Sequence, residues 1–338
     1  MDFRVTGDQH ALVTALRDLL AARFDRDALR AAVDGPGGLD RTLWRALGDA
    51  GFFALRLPEE KGGVGLGMPE AVLLFEEAGR ALLPGPLAAT HLAAGLVDGA
   101  ATGEAVVTVL DLAGQGPHTI AHLSAADAVL VLGPDTRDTP DMRDMRAHGD
   151  GIEAVVMEGE AVEQAAEPLR SVDPLTALHL VQSMGISEIS TARYAPVSAV
   201  RLRQEAGLLE AAQRMGSAAR TLEMAVQHAR EREQFGRPIG AFQAVKHLCA
   251  EMLVRAELAR TAVYAAAVSA DPYEGAAARL LADEAATRNA RDCLQVFGGM
   301  GFTWEADVHL HIKRSWVSTL GGGAAGADEE VLAEGLLR

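Results

Sequence analysis

Leu12, Leu16, Leu19 and Leu20, then Leu43, Leu47 and Phe52, recur at helical spacing and predict helices through the first hundred residues. Gly35-Pro36-Gly37-Gly38 interrupts them, and Leu39-Asp40 offers a cap for the helix that follows. Pro58 to Gly67 reads as a glycine-rich loop, Met68-Pro69-Glu70 opens another helix, and Pro84-Gly85-Pro86 closes it. From about residue 101 to 190 the pattern changes to short runs rich in Val, Ile and Leu: Ala105 to Leu110, Ala128 to Leu132, and Ile152 to Met157. These predict a small sheet, with the charged stretch Asp135 to Arg146 as a surface loop and Asp173-Pro174 as a strand-exit turn. After Pro196 the helical period returns. Leu208, Ala212, Met215, Ala219, Leu222 and Val226 form one apolar stripe, and Phe242, Val245, Cys249, Met252, Ala256, Ala259 and Val263 form the next. Two further helices, over roughly 275–297 and 305–319, complete an antiparallel bundle, and Asp328-Glu329-Glu330 starts a short acid-capped helix after Gly321-Gly322-Gly323. The expected fold is mainly α with a small β domain: an N-terminal helical domain (1–100), a shortened middle β domain (101–192) and a C-terminal four-helix bundle (193–338).

Composition narrows the partners. The net charge is −16, from 31 basic and 47 acidic residues, with lysine only at 61, 246 and 313; such a chain repels phosphate backbones and anionic lipid, so nucleic acid is not expected. No run reaches the about eighteen apolar residues of a membrane helix, and Asp2 and Asp8 stand where a signal peptide carries basic residues, so a cytoplasmic protein is expected. Cys249 and Cys293 both fall at helical positions and are expected as reduced, buried thiols rather than a disulfide. His309 and His311, two apart on a helix, do not share a face, so no metal site is expected there. Ser217 and Ser269 sit in ordinary helical context with no nucleophile elbow, and the glycines at 62, 63 and 65 follow a loop and open no dinucleotide-binding βαβ unit.

Two runs point to chemistry. Arg232-Glu233-Gln234-Phe235-Gly236-Arg237-Pro238-Ile239-Gly240 breaks a long helix that restarts at Phe242-Gln243, and Gln295-Val296-Phe297-Gly298-Gly299-Met300-Gly301-Phe302 ends another helix in a glycine turn. Arginine, glutamines and open backbone amides on helix ends suit an anionic cofactor. Read by themselves, Arg232 could equally pair with Glu231 or Glu233, and Gly298-Gly299 could be only a helix C-cap. Both runs, in this order and spacing, resemble the C-terminal domain of the acyl-CoA dehydrogenase flavoproteins. Trp44, Leu47, Gly51, Pro58-Glu59-Glu60, Gly62-Gly63, Gly65-Leu66 and Pro84-Gly85-Pro86-Leu87 resemble the N-terminal domain of the same family. The resemblance implies FAD bound across a subunit interface, with Arg232, Gln234, Phe235, Gln243, Gln295, Gly298 and Gly299 as cofactor-binding residues. It also implies α,β-dehydrogenation of an acyl-CoA or other acyl thioester, while the electron acceptor stays unassigned.

The departures qualify that picture. Most of the family places its catalytic glutamate in a Tyr-Glu-Gly-Thr run; counted from Gly298-Gly299-Met300-Gly301, that position falls on Gly322, which cannot take a proton. An alternative family position, on the helix before the Arg-x-x-Phe-Gly run, falls near Ala206-Gly207. Glu205 lies one residue away, about 100° around the helix, and Glu210 lies on the same helix, where solvation is its expected role. The runs by which the family clasps the flavin ring, a Thr-Glu-Pro-like Gly-Ser run and a Trp-Ile-Thr-like run, are missing between 101 and 190. Gly301-Phe302-Thr303-Trp304-Glu305 with His309-Leu310-His311 is similar to the shorter subunits of bacterial α2β2 acyl-CoA dehydrogenases that act on bulky thioesters such as steroid side chains. The expected function is an FAD-dependent dehydrogenase subunit in a homo- or hetero-oligomer whose partner supplies the base. The rivals are a flavin-free structural subunit, and an FAD-dependent oxidase or dehydrogenase of a carrier-protein thioester in secondary metabolism.

Overall fold

A computed structural model describes residues 5–35, 39–113, 117–133, 153–182, 193–318 and 327–337. Asp135 to Arg146 and Gly321 to Gly323, which include two of the expectations above, lie outside the described residues.

Five helices come first: α1 (Gly7–Arg23), α2 (Arg26–Asp34), α3 (Arg41–Asp49), α4 (Met68–Arg80) and α5 (Leu87–Ala93). Their starts are set locally. Thr6 caps α1 in a reciprocal arrangement with Gln9, Asp25 caps α2, and Asp40 caps α3 by accepting from the Thr42 and Leu43 amides, as the sequence predicts.

Two small sheets follow. In the first, β1 (Val107–Asp111), β3 (Ala128–Leu132), β4 (Glu153–Glu158) and β7 (Arg193–Ser198) lie in the order β1-β3-β4-β7; β1 and β3 are parallel and the other pairs antiparallel. In the second, β2 (His118–Ala121), β6 (Leu178–Val181) and β5 (Ala166–Leu169) form an antiparallel sheet in the order β2-β6-β5, with a short helix α6 (Gly159–Glu163) between β4 and β5. All five residues of β3 are buried. Val129 and Val131 pack toward Ile120 and Val181 of the second sheet, and Leu130 and Leu132 pack toward Ala199 and Leu202 of the helices. A strand covered on both faces reads as an unbroken apolar run, which is why Ala128 to Leu132 was legible. The strands predicted at 105–110 and 152–157 are observed one or two residues later.

The bundle comprises α7 (Ala199–Glu231), α8 (Gln243–Ser269), α9 (Pro272–Phe297) and α10 (Val308–Ser318), with α11 (Ala327–Leu336) docked by the Arg279–Asp328 ion pair. Helix α7 is the spine: 33 residues, about 50 Å long, capped by Ser198 at the sheet and ending at Arg232. Its crossing with α4 is backbone to backbone. A Cβ on Gly79 would lie 1.9 Å from the Gln213 carbonyl oxygen, and one on Gly216 would lie 2.0 Å from that of Glu76. Both contacts are impossible for a side chain, so the two glycines set how closely the N-terminal helices approach the bundle. One core therefore runs through both, from Leu16, Trp44 and Phe75 to Met215, Val263 and Leu310. Cys293 is buried and Cys249 half-buried, and both are free.

Candidate functional site

The first candidate region is a corner where α7, α8 and α9 end together. Helix α7 stops because Arg232 turns extended, at φ −78° and ψ 122°. Residues 233–234 and 237–238 then pair as a minimal hairpin, β8 and β9. Its two central residues, Phe235 (φ 54°) and Gly236 (φ 76°), both have positive φ, the condition of a type I′ turn. Glycine takes that conformation freely, whereas a bulky aromatic is strained in it. Phe235 is also 91% exposed, its ring edge-on to that of Phe242 with centroids 6.0 Å apart. Backbone strain of this kind clusters at ligand-binding surfaces, which makes Phe235 a candidate.

Nearby, α9 ends at Phe297, and Gly298 (φ 60°) caps it by donating to the Gln295 and Leu294 carbonyls. The C-cap reading of Gly298 is thus correct in itself. A Cβ added at Gly298 or at Gly299 would meet nothing within 4 Å, so the turn presents open backbone. The Phe297 ring stacks on His228 at 4.1 Å, which ties the end of α9 to the last turn of α7 and brings the two sequence runs to one end of the bundle. Arg232, Gln243 and Gln295 are exposed there. None of the three makes an ion pair or side-chain hydrogen bond among the described residues; Glu231 instead accepts from Gln227 at 3.0 Å. Gln234 donates to the carbonyl of Glu233 at 2.9 Å. A free guanidinium, two free amides, an exposed ring and two open glycines fit the diphosphate and adenosine portions of FAD.

The second region is a cavity of about 560 Å³ between the β sheets, α7, α10 and the loop around Pro86. Leu202, Ala206, Glu210, Gln213 and Ser217 line it from one face of α7. Here the two candidate carboxylates part company. Burial opposes ionisation of Glu205, but Arg56 at 2.9 Å and Arg201 at 2.8 Å outweigh it and hold the carboxyl below its usual range. A carboxylate held by two arginines is a weak base. Glu210 was expected in solvent, and the structure corrects that: it is half-buried and opens into the cavity. Burial pushes its carboxyl up, against the attraction of Arg214 at 3.2 Å. The other side of Arg214 faces Asp283 at 2.9 Å, and its Nη2 donates to the Ser318 carbonyl at 2.7 Å. Ala206 lines the cavity and Gly207 abuts Arg279. Gly322 lies outside the described residues.

Three further groups in this region escaped sequence reasoning. Ser217 Oγ lies 2.8 Å from His311 Nδ1, and burial lowers that imidazole's pKa to about 3. Asp173, read as a turn residue, is fully buried; it accepts from Thr176 Oγ1 and is ion-paired to Arg314 at 2.5 Å. His122, at φ 57°, is buried against that pair with its pKa lowered to about 4, chiefly by burial. His309 faces the other way from His311 and stacks on Trp304 at 4.9 Å.

Helices, then a small sheet, then a bundle with an open corner of helix ends are the architecture that the sequence resemblance implies. The acyl-CoA dehydrogenase N-terminal domain model matches residues 6–105 and the C-terminal domain model matches residues 201–337. The chain is 35% identical over 314 residues to the acyl-CoA dehydrogenase IpdE2 of Mycobacterium tuberculosis, covering 91% of each. It is 34% identical over 322 residues to the acyl-CoA dehydrogenase FadE34 of the same organism, a match covering 89% of this chain and 43% of that one. Its fold superposes on the ChsE4-ChsE5 complex of M. tuberculosis with a TM-score of 0.81 at 24% identity, covering 100% of this chain and 99% of that one. The chain belongs to the acyl-CoA dehydrogenase family, whose members are FAD-linked oxidoreductases acting on CH–CH groups of acyl thioesters. No helix among the described residues is long and apolar enough to cross a membrane.

Proposed function

We propose that this chain is the shorter subunit of an FAD-dependent acyl-thioester α,β-dehydrogenase, working in the cytoplasm with a longer chain of the same family as an α2β2 assembly. Its parts divide the work as an N-terminal helical domain (1–100), a reduced β domain (101–192) and a bundle (193–338). Arg232 would meet the FAD diphosphate as a bidentate donor, with Gln234, Gln243 and Gln295 as amide partners. Phe235 would cover the cofactor, and Gly298 and Gly299 would let backbone approach it. FAD, when bound, supplies the acceptor for the β-hydride. The partner's carboxylate takes the α-proton, since this chain has glycine at the usual position. The observation that carries the proposal is the unpartnered corner, where Arg232, Gln243 and Gln295 have no side-chain partner among the described residues while Phe235 stays exposed. The FadE34 match supports a two-chain assembly, because more than half of that protein lies beyond the segment matched.

The test is to purify the chain alone and co-expressed with a longer dehydrogenase chain from the same organism. Low flavin content alone and a full flavin spectrum with substrate-dependent bleaching in the complex are expected. Stoichiometric FAD and thioester oxidation by the lone chain would refute the shared site. Glu210 favours a second reading, in which this subunit's own cavity performs the chemistry with Glu210 as base. Under it, Glu210→Gln lowers kcat by 100-fold or more with FAD content unchanged. Under the first reading, Glu210→Gln leaves kcat within a factor of about three.

A further inference from the structure

A second set of contacts bears on the glycine turn from the opposite end of the sequence. From Gly298 the chain runs through a five-residue 3-10 helix to Phe302 and reaches α10 by residues 303–307. Met300 and Phe302 are 57% and 77% exposed, and Gly301 alone of the turn is buried, so the turn has little core of its own. Residues of α2 hold its far end. Arg26 Nε donates to Asp307 Oδ2 at 2.7 Å, and its Nη2 donates to the Glu305 carbonyl at 2.8 Å. Arg30 Nη1 donates to Asp307 Oδ1 at 3.4 Å, and its Nη2 donates to the Trp304 carbonyl. Trp304 Nε1 donates to Asp34 Oδ1 at 2.8 Å. The Trp304 ring lies against Arg30 at 5.4 Å, Lys313 at 4.6 Å and the His309 ring at 4.9 Å.

These contacts converge on Trp304, Glu305 and Asp307 from successive turns of one helix, where Arg26, Arg30 and Asp34 are spaced by four and share a face. A single exposed ion pair would contribute little. A planar guanidinium that binds a carboxylate, a backbone carbonyl and an aromatic face together fixes position as well as charge. The other end of the turn is pinned by Phe297 on His228. The open backbone surface of Gly298 and Gly299 therefore lies between two anchors, one in the bundle and one in the N-terminal helices.

We propose that Arg26, Arg30 and Asp34 of α2 are positioning residues for the cofactor: by clamping Trp304 and Asp307 they preorganise the Gly298–Gly299 turn that receives FAD. The inference rests on the cofactor reading above. A turn already held in its binding conformation avoids an ordering cost on binding, so the clamp acts on FAD affinity and not on the chemical step.

The test compares Arg30→Met and Arg30→Lys in the purified full-length assembly. Hydrogen exchange of amides 298–307 reports the clamp without any cofactor, and titration of FAD into the apo-protein, followed by flavin fluorescence, reports the site. Arg30→Met is expected to raise exchange across 298–307 and weaken FAD by about tenfold, with kcat at saturating FAD unchanged. Arg30→Lys, which keeps the cation over the ring but loses the fork, is expected to fall between. Unchanged exchange in Arg30→Met, or raised exchange with FAD affinity intact, overturns the proposal. Arg232→Met separates the two levels: if it also leaves FAD affinity intact, the cofactor reading has failed and the clamp loses its purpose with it. If Arg232→Met weakens FAD and Arg30→Met does not, only the clamp has failed.

Discussion

The cavity and the helix-end corner treat arginine in opposite ways. Around the cavity, Arg203, Arg214 and Arg314 each face a carboxylate of the same chain: Asp111 at 2.7 Å, Asp283 at 2.9 Å and Asp173 at 2.5 Å. At the corner, Arg232 pairs with no carboxylate among the described residues, although Glu231 and Glu233 flank it in the sequence. Buried charges must be partnered by the fold because desolvation is costly, whereas an exposed one carries no such requirement. Arg232, Phe235, Gln243 and Gln295, all exposed, and two open glycines at one end of a bundle make a surface that, under the proposed function, takes its partners from the cofactor. Pairing by its own chain marks the cavity's arginines as structural first, and lack of pairing among the described residues leaves Arg232 available for the cofactor role proposed above.

The sharpest way to break this contrast is to remove an arginine from each place. Arg314→Met leaves Asp173 buried and uncompensated, which is expected to cost about 3–5 kcal/mol of stability, read from urea unfolding. Arg232→Met is expected to change stability by no more than about 0.5 kcal/mol. It should weaken FAD about 10- to 100-fold, the loss of a charge-assisted hydrogen-bond pair. Similar stability losses in both variants would dissolve the distinction.

Much of this was visible in the sequence, and what was hidden had a common cause. The stripe from Leu208 to Val226, the Asp40 cap and the two glycine-bearing runs are local patterns, written in neighbouring residues. Asp173 and Arg314 are 141 positions apart, Ser217 and His311 are 94 apart, and Arg26 and Asp307 are 281 apart. A pair of that kind leaves no periodic trace, so each half reads as an ordinary polar residue. Glu210 was misplaced because the apolar stripe was taken as the inward face of α7. That helix has a second inward face, made of small and polar residues such as Ala206, Gln213 and Ser217, which borders the cavity. Four of the seven main strands escaped notice because His118–Ala121, Ala166–Leu169, Leu178–Val181 and Arg193–Ser198 are short and interrupted by polar residues or proline.

Acid should discriminate between the regions as well. His91 and His122 titrate at about 4 and His311 at about 3, all lowered chiefly by burial, against about 6.5 when unfolded. Between those values the unfolded chain binds protons that the folded chain refuses. Stability is therefore full above about pH 6.5 and falls as pH drops toward 4, by about 1.4 kcal/mol per pH unit for each imidazole. His122→Asn keeps a residue tolerant of the left-handed backbone and removes one titration, so its stability curve should be shallower by one proton over that window. Arg232→Met should make the slope only slightly shallower: the half-buried His228 imidazole at the corner is held below its usual pKa chiefly by burial and then by the Arg232 charge, and the variant removes the lesser of the two. Measuring unfolding free energy at pH 4.5, 5.5 and 7 decides it; an unaltered slope in His122→Asn would mean that this imidazole is solvated.

The smallest effect is the most discriminating, because it is expected to run in opposite directions for stability and for binding. Phe235 occupies the first central position of a type I′ hairpin, where asparagine followed by glycine is preferred and an aromatic costs on the order of 1 kcal/mol of backbone strain. At 91% exposure its ring contributes almost no burial in return. If Phe235 served only the turn, Phe235→Asn would improve the protein in every respect. If it serves the corner, the same change should raise the melting temperature by about 1–3 °C. It should also weaken FAD by about tenfold, because the strained ring is lost from the surface the cofactor meets. Calorimetry with a parallel flavin titration separates the two. A stabilised variant that binds FAD as tightly as the natural chain would show that the strain at residue 235 has no ligand to answer to, and the corner would lose its one aromatic argument.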